Sequence, residues 1–226
     1  MLDDAILDSL ETTSTELSLY FRHAHITSAG KSDPFRVTSG AGRWGTHWTL
    51  HTASAIHVAL SEYCRNFADD VRRADPTGGF GLTSSNLTAL ARLELQEPVS
   101  RRAIYRLSYQ FERLADITTL ASRRALRAAG FQSADLFADD FGACPALAFA
   151  GERLGWDALR APSAAWRHGD GFCIAVFPRG HKQLRRTVLL EAVARPTIAV
   201  AYATAYRRGK RPEWLGPDPR ASAPPP

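Results

Sequence analysis

Apolar positions recur at helical spacing most clearly after Ser54, where Ile56, Ala59, Leu60, Tyr63, Phe67 and Val71 follow the i, i+3, i+4, i+7 pattern. Ser54 stands where an N-cap belongs, so a helix is predicted from that point. Two more helices are expected over 118–129 and 146–154. Each is closed by a glycine, Gly130 or Gly155, the residue type that takes a left-handed C-terminal conformation without steric cost. Short runs with aromatic or β-branched content at 18–24, 47–51, 86–95, 171–177 and 197–202 read as strands. Gly, Pro and Ser cluster at 27–34, 38–45, 75–85 and 161–171, which read as loops. Helices and strands do not alternate as in a βαβ chain. The pattern therefore predicts an α+β fold, a mixed or antiparallel sheet core with flanking helices.

At 226 residues and 45% hydrophobic content, the chain is sized for one domain. The globular part is expected over 15–206. The stretch 207–226 is basic and Pro-rich, buries little apolar surface, and is expected to be a disordered tail. No repeat of 20 to 50 residues is visible, which sets aside solenoids and propellers. No apolar run approaches the roughly 18 to 20 residues of a membrane helix, so no membrane association is expected. Cys64, Cys144 and Cys173 are odd in number and lack a CxxC or Cys/His ligand spacing. They suggest neither a disulfide framework nor a metal site, and fit a cytoplasmic, reducing compartment.

The net charge of +5 comes almost entirely from arginine, since only Lys31, Lys182 and Lys210 are lysines. Basic pairs such as Arg72-Arg73, Arg101-Arg102, Arg123-Arg124 and Arg185-Arg186 are scattered along the chain, where a nucleic-acid footprint would cluster. No nucleic-acid partner is expected from that distribution. There is no GxGxxG after a predicted strand, no GxxxxGK[ST], no HExxH and no GxSxG, so the common nucleotide, zinc-protease and hydrolase signatures are missing.

Four segments carry candidate chemistry. In Leu19-Tyr20-Phe21-Arg22-His23 an arginine sits within an otherwise apolar strand. Its desolvated charge calls for an anionic partner, either a carboxylate of the protein or a phosphate of a ligand. In Gly42-Arg43-Trp44-Gly45 glycines flank a guanidinium and an aromatic face on which a ring could stack, although the same residues make an ordinary turn. Glu62 falls roughly 120° from the centre of the predicted apolar helix face, outside the core, where most glutamates are merely solvated. Ala161-Pro162-Ser163-Ala164 is a proline-stiffened loop whose serine hydroxyl could donate to a bound group. His51 and His23 are the titratable groups nearest these segments, while His25, His47, His57, His168 and His181 read as structural.

Taken in order, LYFRHAH, GAGRW, TLHTASAIHVALSEYCR, ADDFGACPALA, APSA and GFCIAVF resemble the RES family, over roughly 19–177. Arg22, Arg43, Glu62 and Ser163 match the positions that characterise it. His51 stands where the family has tyrosine, His23 where an aromatic often follows the first arginine, and Gly142 and Pro145 where polar Ser and Gln are typical. The resemblance implies a fold like that of ADP-ribosyltransferases and a toxin that consumes NAD by hydrolysis or phosphorolysis, with inorganic phosphate as the second substrate in the latter case. It also implies an Xre-type antitoxin partner. In that frame Glu62 stabilises the oxocarbenium ion formed as nicotinamide leaves, and Arg22 and Arg43 grip the pyrophosphate. His51 lies near the nicotinamide ribose, and Trp44, His23 and Ser163 line the cofactor. Transfer to a protein side chain, and a RES fold that binds NAD or a partner without turnover, are the open alternatives.

Overall fold

The computed structural model describes residues 2–27, 29–36, 43–44, 49–63, 102–137, 142–165 and 171–194. The strands expected at 86–95 and 197–202, the loop at 75–85 and the tail from 207 lie outside them. The described elements are α1 (Asp4–Asp8), β1 (Thr12–Thr13), β2 (Ser18–His25), β3 (Leu50–Ala53), α2 (Ile56–Tyr63), β4 (Arg102–Tyr109), β5 (Leu114–Asp116), α3 (Leu120–Ala128), α4 (Cys144–Arg153), β6 (Ala158–Pro162), β7 (Phe172–Val176) and β8 (Leu184–Ala194). Single-turn 3-10 helices lie at Ser133–Phe137 and Gly180–Gln183.

These strands form one mixed sheet in the order β1-β5-β6-β7-β3-β2-β4-β8, in which β5 and β6 run parallel and the other neighbours antiparallel. The fold is α+β in one domain, as the pattern predicted. Strand β4 escaped the pattern because both its faces are buried, with Ala103, Ile104, Leu107 and Tyr109 at no exposure. A strand covered on both sides loses its period-two signature. The loop expected over 161–171 begins later than expected, since the ladder of β6 with β7 runs from Ala158↔Val176 to Pro162↔Phe172. Proline is tolerated there because it closes the strand.

The helices cover one face. Leu7 of α1, Leu126 of α3 and Leu147 and Ala148 of α4 pack with Trp44, Phe131 and Trp156 against Ile117, Leu159, Ala161 and Ala175. Thr119 caps α3, its hydroxyl accepting the Ser122 amide, and Gly130 follows at φ 93°. Gly142, ahead of α4, adopts φ 46°, and a Cβ there would lie 2.6 Å from Asp135 Oδ1. The turn itself therefore demands glycine where the resembled family has a polar residue.

On the other face Tyr20, Tyr105, Leu107 and Tyr109 of β2 and β4 share one cluster with Leu50, Ala158, Ile174 and Val176 of β3, β6 and β7. The sheet thus folds back on itself. The fold line is the β2/β3 seam, where only Phe21↔Ala53 are in register; β2 pairs with β4 along its whole length and β3 with β7 from Leu50 to Ala53. The candidate site lies at this seam.

Candidate active site

Helix α2 packs on the seam through Ala55, Val58 and Ala59, against Phe21 and Ala53. It starts at Ile56, and the hydroxyl of Ser54, the expected N-cap, accepts the Phe172 amide at 3.2 Å. Val58 is fully buried and Ile56 only partly, so the inward face is rotated from the one predicted. That prediction was weighted by Phe67 and Val71, which lie outside the described residues. The rotation corrects the placing of Glu62: one turn beyond Val58, it points into the structure and not into solvent.

Glu62 Oε1 receives four donors. Ser163 Oγ donates at 2.6 Å, the Ala164 amide at 3.0 Å, the Ala165 amide at 3.3 Å and Cys173 Sγ at 3.3 Å. The first three come from the exit of β6, where the Ser163 amide donates to Gly171 O at 3.1 Å and the chain leaves the sheet with successive N–H groups turned toward the carboxylate. Such consecutive amides form a concave anion seat. Burial pushes the Glu62 carboxyl up, but the Arg43 charge and the donors from Ser163, Ala165 and Cys173 outweigh it and hold the group below its ordinary value. It is a carboxylate at neutral pH. The Cys173 thiol is pushed well up, by burial first and then by the Glu62 charge, and stays protonated as a donor.

Arg43 is buried with its Nε unpartnered among the described residues, close enough for its charge to act on both Glu62 and His51. Trp44 next to it corrects the expectation of a stacking face. It is 2% exposed in the cluster under the helices and belongs to the core, as an indole with many apolar neighbours will.

Arg22 bridges the seam. Nη1 donates to His51 O at 2.8 Å and Nη2 to Arg36 O at 2.8 Å, so its protein partners are backbone carbonyls where a carboxylate was one of the two expectations. Burial lowers its pKa to about 10, partly opposed by Tyr109 and Asp33, and it remains a cation. His23 and His51 stand on either side of the same seam. Burial, with the Arg102, Arg22 and His51 charges behind it, brings His23 to about 3. Burial, Arg22 and Arg43, against Glu62, bring His51 to about 4. His51 is nonetheless solvent-accessible. Both imidazoles are neutral at physiological pH.

The structure therefore gathers Glu62, Ser163, Arg43, His51 and His23 about the seam, with Arg22 bracing it, and leaves Trp44 out. Ser163 is fully buried with its hydroxyl on Glu62, so it serves the carboxylate and not a bound cofactor directly. Sequence reasoning missed Cys173 and the two alanine amides; the first was visible only as a cysteine in an apolar strand, and amides carry no side-chain signal. Among the described residues no group of three or more His, Cys, Asp or Glu could hold a metal ion, and no helix is long and apolar enough to cross a membrane. A separate cavity of about 370 Å³, lined by Thr15, Glu16, Phe111, Glu112 and Arg185 among others, includes none of the site residues.

No family model matches the sequence, and no curated protein matches it. Among solved structures, the chain is similar to one in the crystal structure of the M. tuberculosis MbcT-MbcA toxin-antitoxin complex, with TM-score 0.52 and 19% identity over 89% of this chain and 96% of that one. At that identity the likeness is one of fold.

Proposed function

We propose that this chain is a RES-type toxin that consumes intracellular NAD by breaking the nicotinamide–ribose bond, with water or inorganic phosphate as acceptor, and that an antitoxin protein of Xre type restrains it. The observation that carries the reading is Glu62, an ionised carboxylate held through one oxygen at a seam that also presents Arg43 and His51. The fold likeness to a chain from a toxin-antitoxin complex supports it.

The chemistry suits one carboxylate. Nicotinamide departs as a neutral molecule from a cationic ring, so no general acid is required, unlike ordinary glycoside hydrolysis with its two carboxyl groups. The cationic ribose that develops is stabilised by the Glu62 charge, fixed in place before the reaction. Arg43 is the cation for the pyrophosphate, its buried Nε lacking a described partner. His51, neutral and accessible, offers a hydrogen bond to the ribose without adding positive charge beside the cation.

The test is NAD consumption with separated products, by the wild type and by Glu62→Gln, with and without phosphate, after circular dichroism confirms that both fold. Glutamine keeps an oxygen for the four donors and removes the charge. Cleavage should fall by at least about a hundredfold in the variant, the scale of one preorganised electrostatic group. Dependence on phosphate would identify the acceptor. No cleavage by the wild type in either buffer would sink the enzyme reading in favour of a binding protein.

A further inference from the structure

We infer that Cys173 is a positioning residue for Glu62: with Ser163, Ala164 and Ala165 it completes a four-donor cradle on Oε1, so that Oε2 is the oxygen presented to substrate. The inference rests on the proposed role of Glu62. Each described donor to the carboxylate, two amides, a hydroxyl and a thiol, ends on Oε1, and none among the described residues reaches Oε2.

The four come from two directions. Ser163, Ala164 and Ala165 approach from the exit of β6, whereas Cys173 approaches from β7, where it pairs with Ala53 beneath α2. Donors on one side alone would fix the distance of the carboxylate and leave it free to rotate about its own axis. A donor from the second strand removes that freedom. A thiol suits the position because it is small enough to pack beside Ala53, Ala55 and Val58, and it holds its proton next to a negative charge instead of becoming a competing nucleophile.

Two measurements test this. The first needs no substrate: the rate at which iodoacetamide alkylates Cys173, followed by peptide mass spectrometry, as a function of pH. Removing the neighbouring charge in Glu62→Gln should make the thiol ionise more readily and speed alkylation about tenfold at a fixed pH near 8. Ser163→Ala loosens the cradle but keeps the charge, and should not speed it. Equal rates in wild type and Glu62→Gln, or a matching acceleration in Ser163→Ala, would overturn the pairing. The second is the pH profile of NAD cleavage. Cys173→Ala should lower kcat about five- to tenfold, the scale of one weak hydrogen bond, with KM little changed and the acidic limb displaced to higher pH. Cys173→Ser should recover part of the loss. An unmoved limb and full kcat in Cys173→Ala would refute the positioning role. If the wild type cleaves no NAD the proposed function fails, while the alkylation rates still decide whether the pair exists.

Discussion

At the residue scale the protein is organised around a carboxylate made expensive to protonate. The Arg43 charge does most of that, followed by the Ser163 hydroxyl at 2.6 Å, and hydrogen bonds to charged groups contribute about 1.5–3 kcal/mol each. Ser163→Ala should therefore lower kcat for NAD by about ten- to a hundredfold with little change in the far-UV spectrum, a result that steady-state kinetics on the purified variant would check. Trp44→Ala makes the contrasting case. It empties a core position and should cost about 3–5 kcal/mol in urea unfolding; a variant of wild-type stability would contradict its placement in the core. Residue chemistry was partly legible in the sequence. Arg22, Arg43, Glu62, His51 and Ser163 were all singled out, but their orientation was not, because a helical wheel drawn through positions beyond Tyr63 turned Glu62 outward. Burial decided the roles of Trp44 and Ser163, and burial depends on contacts far apart in the chain.

At the element scale the decisive feature is the way β2 and β3 part after Phe21↔Ala53. Arg22 replaces the missing ladder, tying β3 through His51 O and the 29–36 loop through Arg36 O. The same loop is held by the Tyr105 hydroxyl at Ser32, 2.5 Å away. Lysine has a single ammonium and cannot reproduce the forked reach of a guanidinium. Arg22→Lys should keep the charge but free the loop, giving faster tryptic cleavage at Lys31 or Arg36; a cleavage rate equal to that of the wild type would show that the fork is dispensable. Helix ends were legible because Gly130 and Gly155 announce them and both adopt positive φ. Strand β4 was not, its alternation erased by burial on both faces, and neither was the seam, which belongs to the pairing of distant segments and to no local pattern.

At the scale of the whole molecule, His23 and His51 couple folding to pH. Both are brought from an ordinary 6.5 to about 3 and about 4 in the folded state, chiefly by burial. Between those values and 6.5 the unfolded chain binds more protons than the native one, so stability rises with pH across that window and is lost as pH falls through it. Glu62, also held low, adds loss of the same sign in more acidic solution. The urea midpoint should be level above pH 7 and decline steadily below 6.5, and His23→Gln should flatten part of the decline. A midpoint unchanged between pH 7 and 5 would contradict the lowered pKa of these imidazoles. The fold class was readable from the mixture of short strands and capped helices, whereas the doubling of the sheet on itself was not. Because a single backbone pair joins the two leaves, torsional compliance should concentrate along that line. The amides flanking Phe21 and Ala53 would then exchange for deuterium ahead of the strands on either side, and any partner lying across both leaves would slow them first.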